Sequence, residues 1–301
     1  MTLPPEQREH WQQVLMHFAL GRVRHLRPGG GTALPKVMVE TDRGRFVVRA
    51  RRPISSVPSV VAFDHGLIEA LVEAGLPTVP PEPTTDGTTW VTIGEVSYEA
   101  FPWVEGLHRF QEGNRRQLES AALTLAKLHR VTADLSPPGK KDWPREHHIG
   151  LMTETLRQTL EEIQPPRPQS EPALAMLDAA EALNRILSDE LVSRLPQVII
   201  HGDYTPANVM FRGHEVGGVF DFDWVSRQPR VIDVGEALQF FACRRATTID
   251  PDSIWSLVQT WEPDWEAIVA FLRTYISVSP LQPEEAEQLP LFMQETWLER
   301  R

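Results

Sequence analysis

Val198-Ile199-Ile200-His201-Gly202-Asp203-Tyr204-Thr205-Pro206-Ala207-Asn208-Val209-Met210-Phe211, followed after six residues by Gly218-Val219-Phe220-Asp221-Phe222-Asp223, interleaves apolar runs with short polar side chains. The apolar runs read as buried strands. Asp203, Asn208 and Asp221 stand at their ends, five and thirteen positions apart. A carboxylate beside such runs is costly unless it is compensated. A cluster of them asks for a cation.

The rest of the chain permits a sizeable enzyme. Its 301 residues suffice for two lobes, and 41% hydrophobic residues is ordinary for a soluble globular protein. One cysteine, Cys243, excludes an internal disulfide and suits a reducing cytoplasm. The N-terminal residues carry no basic-then-apolar leader, and no apolar run approaches the roughly 20 residues that span a bilayer. A soluble, cytoplasmic protein without a membrane partner is expected. The net charge of −11 argues against nucleic acid as main partner. Charge is nevertheless uneven. Residues 22–52 hold nine Arg or Lys against Glu40 and Asp42, whereas residues 107–301 hold twenty basic against twenty-nine acidic residues. The basic stretch suits either a phosphate site or a solvated strand face.

Three strand-like runs open the chain after a leading helix over 6–20. A glycine-rich turn, Pro28-Gly29-Gly30-Gly31-Thr32, precedes the strand 33–41, and Asp42-Arg43-Gly44 turns into Arg45-Phe46-Val47-Val48-Arg49. Gly30 and Gly31 would let backbone N–H groups approach a polyphosphate. Residues 60–75 read as an amphipathic helix closed by Gly75, and residues 94–101 as a strand leading into Pro102-Trp103-Val104. Beyond it the pattern turns helical, clearest over 115–130, 233–243 and 254–275, with a proline-rich linker at 164–172. His147-His148 lacks a third ligand at useful spacing and reads as surface.

Written H-G-D-x4-N and D-F-D, the two motifs around residues 201–223 resemble those of the aminoglycoside phosphotransferase and choline kinase superfamily, small-molecule kinases on a protein-kinase-like fold. The resemblance spans most of the chain and is tight over 198–238. It implies an α+β, two-lobed architecture. A small antiparallel-sheet lobe with one main helix (1–103) would bind nucleotide, and a larger helical lobe (104–301) would carry catalysis and substrate. It implies ATP and Mg²⁺, with Asp203 as catalytic base, and Asn208 and Asp221 as metal ligands. Asp223 is then a second-metal or substrate contact, or a local turn residue. Arg49 takes the place of the strand lysine that holds the α- and β-phosphates, with Arg51 and Arg52 as exposed neighbours. Asp64, or failing it Glu69, is the helix carboxylate expected to orient Arg49. Phe101, the Pro102 carbonyl and the Val104 N–H would receive adenine at the interlobe hinge. Asp233 is expected to bond the catalytic-loop backbone and His129 to pack beneath it. The acceptor would be a small alcohol of the aminoglycoside, homoserine or choline kind. The alternatives are a protein kinase, disfavoured because no A-P-E segment occurs, and an inactive nucleotide-binding scaffold, disfavoured by the complete Asp-Asn-Asp set.

Overall fold

Alternate burial along Lys36–Thr41 and Arg45–Ala50 gives each strand a dry face and a wet one. Val37, Val39, Phe46, Val48 and Ala50 form the dry side, covered by Trp11, Val14 and Leu15 of the leading helix. Arg49 therefore projects from the opposite side. A computed structural model describes residues 3–30, 34–141, 149–163, 170–248, 253, 256 and 259–299 of the chain. Its first part comprises α1 (Pro5–Leu15), β1 (Val23–Pro28), β2 (Lys36–Thr41), β3 (Arg45–Ala50), α2 (Pro58–Glu73), β4 (Val91–Ile93) and β5 (Val96–Pro102). The five strands make one antiparallel sheet in the order β1-β2-β3-β5-β4.

The second part is mainly helical. It runs α3 (Arg115–Thr132), α4 (Ile149–Ile163), α5 (Ser170–Ile186), α6 (Asp189–Arg194), β6 (Gln197–Ile200), β7 (Val209–Arg212), β8 (Glu215–Val219), β9 (Ser226–Pro229) and α7 (Val231–Phe241). After these come β10 (Cys243–Arg245), β11 (Trp261–Pro263), α8 (Trp265–Ile276) and α9 (Pro283–Glu299). The small pairs β6–β9 and β7–β8 hold the two motifs side by side. The helix expected over 254–275 is not continuous. Trp261–Pro263 pairs with Cys243–Arg245, and a new helix starts only after Asp264, whose carboxylate accepts from the Ala267 N–H. Pro263 cannot donate to a helical ladder, and Asp264 caps the orphan N–H groups behind it.

Packing crosses the expected lobe boundary at 103/104. Leu67, Ile68 and Leu71 of α2 join the core built by α3, β7, α7 and α8, whereas the sheet and α1 keep a core of their own. Thus α2 belongs to the first part by chain order and to the second by burial.

Candidate active site

Strand register brings the first pair of site residues together. Arg49 on β3 lies directly opposite Glu99 on β5, so both project from the face that α1 does not cover. The Arg49 Nε donates to Glu99 Oε1 at 2.5 Å, and its other nitrogens reach Asp221 Oδ1 at 3.1 Å and Asp223 Oδ1 at 2.6 Å. Phe101, two residues along β5, lies under the guanidinium, 5.6 Å from ring centroid to Cζ. Glu99 is fully buried and also accepts from Arg51 at 3.0 Å and His65 Nε2 at 2.7 Å. Burial alone would raise this carboxyl; Arg49, Arg51 and His65 together hold it well below the usual range.

Two expectations are corrected here. Asp64 is not the acid on Arg49: it pairs with Arg51 and, at 2.7 Å, with Lys141, while Glu69 is exposed. Arg51 is no surface charge either, being 2% exposed and bonded to Glu99, Asp64 and the Ser55 carbonyl. The cause is geometric. An acid on the neighbouring strand meets Arg49 at cross-strand distance and leaves the helix acid to other cations. Glu99 did leave a mark in the sequence, as a charge inside the otherwise β-prone run Val96-Ser97-Tyr98-Glu99-Ala100-Phe101. Lys141, from the loop after α3, left none.

The loop that carries Asp203 leaves β6 through His201 and Gly202. Gly202 has φ +76°, and a Cβ there would sit 2.5 Å from the Trp224 carbonyl, so only glycine fits. Asp233 on α7 accepts the N–H groups of His201 at 2.6 Å and Gly202 at 2.8 Å. It also accepts from His129 Nε2 at 3.0 Å, which leaves Nδ1 to the Tyr275 hydroxyl. Burial opposes ionisation of Asp233, yet His129 and His201 keep its carboxyl below the ordinary aspartate value. Both Asp233 and His129 stand where the sequence put them. The His201 ring donates from Nε2 to the Phe220 carbonyl and accepts the Asp203 N–H at Nδ1, fastening the loop to the strand before Asp221.

Asn208 Nδ2 donates to the Asp203 carbonyl at 3.0 Å and to Asp203 Oδ2 at 2.7 Å. This directs its Oδ1 away from Asp203. Asp221 has φ +63°, alone among the non-glycine described residues, and its side chain remains 36% exposed. Desolvation in the cleft, together with Asp223 and Asp203, pushes its carboxyl above the ordinary value against the pull of Arg49. A backbone held in the left-handed region at an acidic residue costs free energy and marks a constrained site. The Asp221 carboxylate and the Asn208 Oδ1 are oxygen donors of the kind that suit a hard cation such as Mg²⁺, which keeps several waters and shares substrate phosphates. Among the described residues no cluster of three or more His, Cys, Asp or Glu side chains forms a self-sufficient metal cage.

At the junction between the two parts, the Trp103 N–H bonds back to the Arg45 carbonyl at 2.8 Å. Pro102 and Phe46 are therefore a non-hydrogen-bonded pair, and the Pro102 carbonyl faces away from β3. Val104 follows, half-buried, and His108 exchanges two backbone bonds of 2.8 Å with Phe211 on β7. Gly30 is exposed in the β1–β2 hairpin; Gly31, like His147 and His148, lies outside the described residues.

Fold and site together define a kinase-type phosphotransferase. The chain belongs to the phosphotransferase enzyme family, whose profile matches residues 25–268. The homoserine kinase of Chelativorans sp. (strain BNC1) is 27% identical over 289 residues, covering 94% of this chain and 80% of the relative. That of Beijerinckia indica is 27% identical over 261 residues, covering 84% and 71%. Among solved structures, the amicoumacin kinase hAmiN, in complex with AMP-PNP, Ca2+ and Ami, superposes with a TM-score of 0.72 at 13% identity, covering 98% of this chain and 84% of its own. A microcompartment-associated aminopropanol kinase gives 0.69 at 18% identity, covering 96% and 88%. At such identities the likeness is one of fold, the two-lobed protein-kinase-like one. Among the described residues no helix is long and apolar enough to cross a membrane.

Proposed function

We propose that the protein transfers the γ-phosphate of ATP, with Mg²⁺, to a hydroxyl of a small alcohol, and that hydroxylated amino acids of the homoserine kind are its acceptors. The convergence of Asp203, Asn208, Asp221 and Arg49 carries this reading. Asn208 Oδ1 and the Asp221 carboxylate would hold the metal. When bound, Mg²⁺ neutralises charge on the transferring phosphoryl group and fixes its orientation. Arg49, steadied by Glu99, would turn toward the α- and β-phosphates, with Gly30 and Gly31 above them. Adenine would lie against Phe101, bonded to the Pro102 carbonyl and the Val104 N–H. Asp203 would accept the acceptor hydroxyl's hydrogen bond, aim its oxygen at the phosphorus and take the proton late. Residues 1–103 and 104–301 would act as the two jaws.

The acceptor class is supported by two observations. Relatives over most of the chain are homoserine kinases. Beside the loop joining Asp203 to Asn208 lies a cavity of about 170 Å³, lined by Pro206, Ala207, Phe110, Phe240 and Thr248 together with Arg109 and Glu112. One cation and one anion suit an acceptor that carries both charges. The test is ATP consumption, with product detection, against homoserine, choline and an aminoglycoside, with and without Mg²⁺. Mg²⁺-dependent phosphorylation of homoserine in preference to the others is expected. Turnover of choline or an aminoglycoside instead would overturn the acceptor class, and no transfer to any hydroxyl would overturn the activity.

A further inference from the structure

In kinases of this shape a carboxylate on the N-terminal helix orients the phosphate-binding strand cation. Here that task falls to Glu99, which leaves the helix acid Asp64 with a different connection. Lys141 Nζ donates to Asp64 Oδ1 at 2.7 Å and to the Asp223 carbonyl at 2.8 Å, and its side chain has no exposed surface. One ammonium thus ties α2 directly to the D-F-D turn, two residues from the Asp221 carboxylate.

The approach of Lys141 is built into the backbone before it. Gly139 has φ +84°, and a Cβ there would collide with the Ser59 carbonyl of α2. Gly66 of α2 is likewise closed against Pro138. The Lys140 N–H donates to the Ser59 carbonyl at 3.1 Å. Two glycines that admit close contact and a backbone bond lay residues 138–141 along α2, and the strap ends by driving Lys141 inward. Burying an ammonium costs free energy unless its bonds are well placed. A lysine held only for solubility would not be sited here.

We propose that Lys141 is a positioning residue, which locks α2 to the Asp221–Asp223 turn and so presets the turn for metal and nucleotide. The inference rests on the function proposed above. Two rival roles make different predictions. If Lys141 merely neutralises buried Asp64, removing both charges restores everything. If it positions the turn, removing both charges restores stability but not metal-dependent binding.

The experiment compares wild type, Lys141→Met and Lys141→Met/Asp64→Asn, using AMP-PNP binding by calorimetry across a Mg²⁺ series. Amide hydrogen exchange is measured on the ligand-free proteins. Lys141→Met weakens the Mg²⁺-dependent part of binding about tenfold, the scale seen when a residue behind a metal ligand is lost. Binding without Mg²⁺ stays as in wild type. Exchange quickens in residues 60–68 and 221–225 together. The double variant regains the thermal midpoint while the Mg²⁺ dependence stays weakened. Wild-type Mg²⁺ dependence in either variant overturns the proposal, and so does failure of both to fold, which makes Lys141 a stability residue only. If wild type itself binds AMP-PNP with no Mg²⁺ dependence, the proposed function fails, a result distinct from the others.

Discussion

Behind the Asp203 loop sits Asp233, and between the sheet and the D-F-D turn sits Asp64; both are buried acids that hold a motif-bearing element from behind. Their surroundings differ. Asp233 is met by two backbone N–H groups of the loop it supports, at 2.6 and 2.8 Å, and by His129 at 3.0 Å. Its carboxyl is held below the ordinary aspartate value. Asp64 is met by Arg51 and Lys141, yet burial, with Asp223 adding repulsion, leaves its carboxyl raised. Fixed backbone dipoles stabilise a carboxylate without themselves needing to be desolvated as charges. A salt-bridged cluster must bury every member, and its desolvation cost can exceed the attraction. The loop is therefore held by groups already in place, and the helix by a balance of charges.

The sharpest way to break this comparison is to strike what the loop exists to present. Asp203→Asn keeps the shape and the Asn208 contact but removes the carboxylate proposed as base. Transfer kcat is expected to fall by ~10²-fold or more with nucleotide affinity nearly unchanged. Retained transfer on a verified acceptor would make Asp203 structural.

Next come the two supports themselves. Asp233→Ala strands two backbone donors and His129, and is expected to cost about 3–5 kcal/mol in urea unfolding. Asp64→Asn should cost less, about 1–3 kcal/mol, because Arg51 keeps Glu99 and Lys141 keeps the Asp223 carbonyl. Equal losses would erase the distinction. pH separates them further. Because the folded carboxyl of Asp233 is depressed, its contribution is fully present above the unfolded aspartate value of about 3.9 and is lost as pH falls through the folded one. The stability gap between wild type and Asp233→Ala should stay constant near neutrality and close in acid.

A smaller effect tests the strand. Glu99→Gln weakens a charge-assisted bond to Arg49, and should lower nucleotide affinity roughly tenfold, about 1.4 kcal/mol. Arg52, stacked at 4.6 Å over Trp224, is the appropriate control cation, since Arg51 is buried in the same network. If Arg52→Ala weakens nucleotide binding as much as Glu99→Gln, the orienting role of Glu99 is wrong. Smallest of all, breaking the exposed i,i+4 pair Arg115–Glu119 should shift stability by only about 0.3–0.5 kcal/mol.

The motif residues were legible because each lies beside a short apolar strand: Asp203 and Asp221 shortly after β6 and β8, and Asn208 immediately before β7. Asp233 and His129 were legible by resemblance and proved to bond as expected. The strand cation Arg49 was legible from its F-V-V-R ending, but its acid was not. Choosing between Asp64, Glu69 and Glu99 requires the β3–β5 register, and that register pairs residues 50 positions apart. The break before Trp265 was missed because the apolar period runs on through Trp261–Pro263, although Pro263 and Asp264 mark a stop and a cap.

By itself, then, the sequence determined what near neighbours determine: the short strands that carry the two motifs, the loops after them, and the kinase-like order of the motifs. Tertiary structure decided which charges meet. Burial of α2 against the helical core, the cross-strand placement of Glu99 and the strap ending in Lys141 assign each acid its cation across 13 to 174 positions of chain. Opposite charges attract any partner within reach in a desolvated interior. Reach is set by packing, and no local pattern of residues records it.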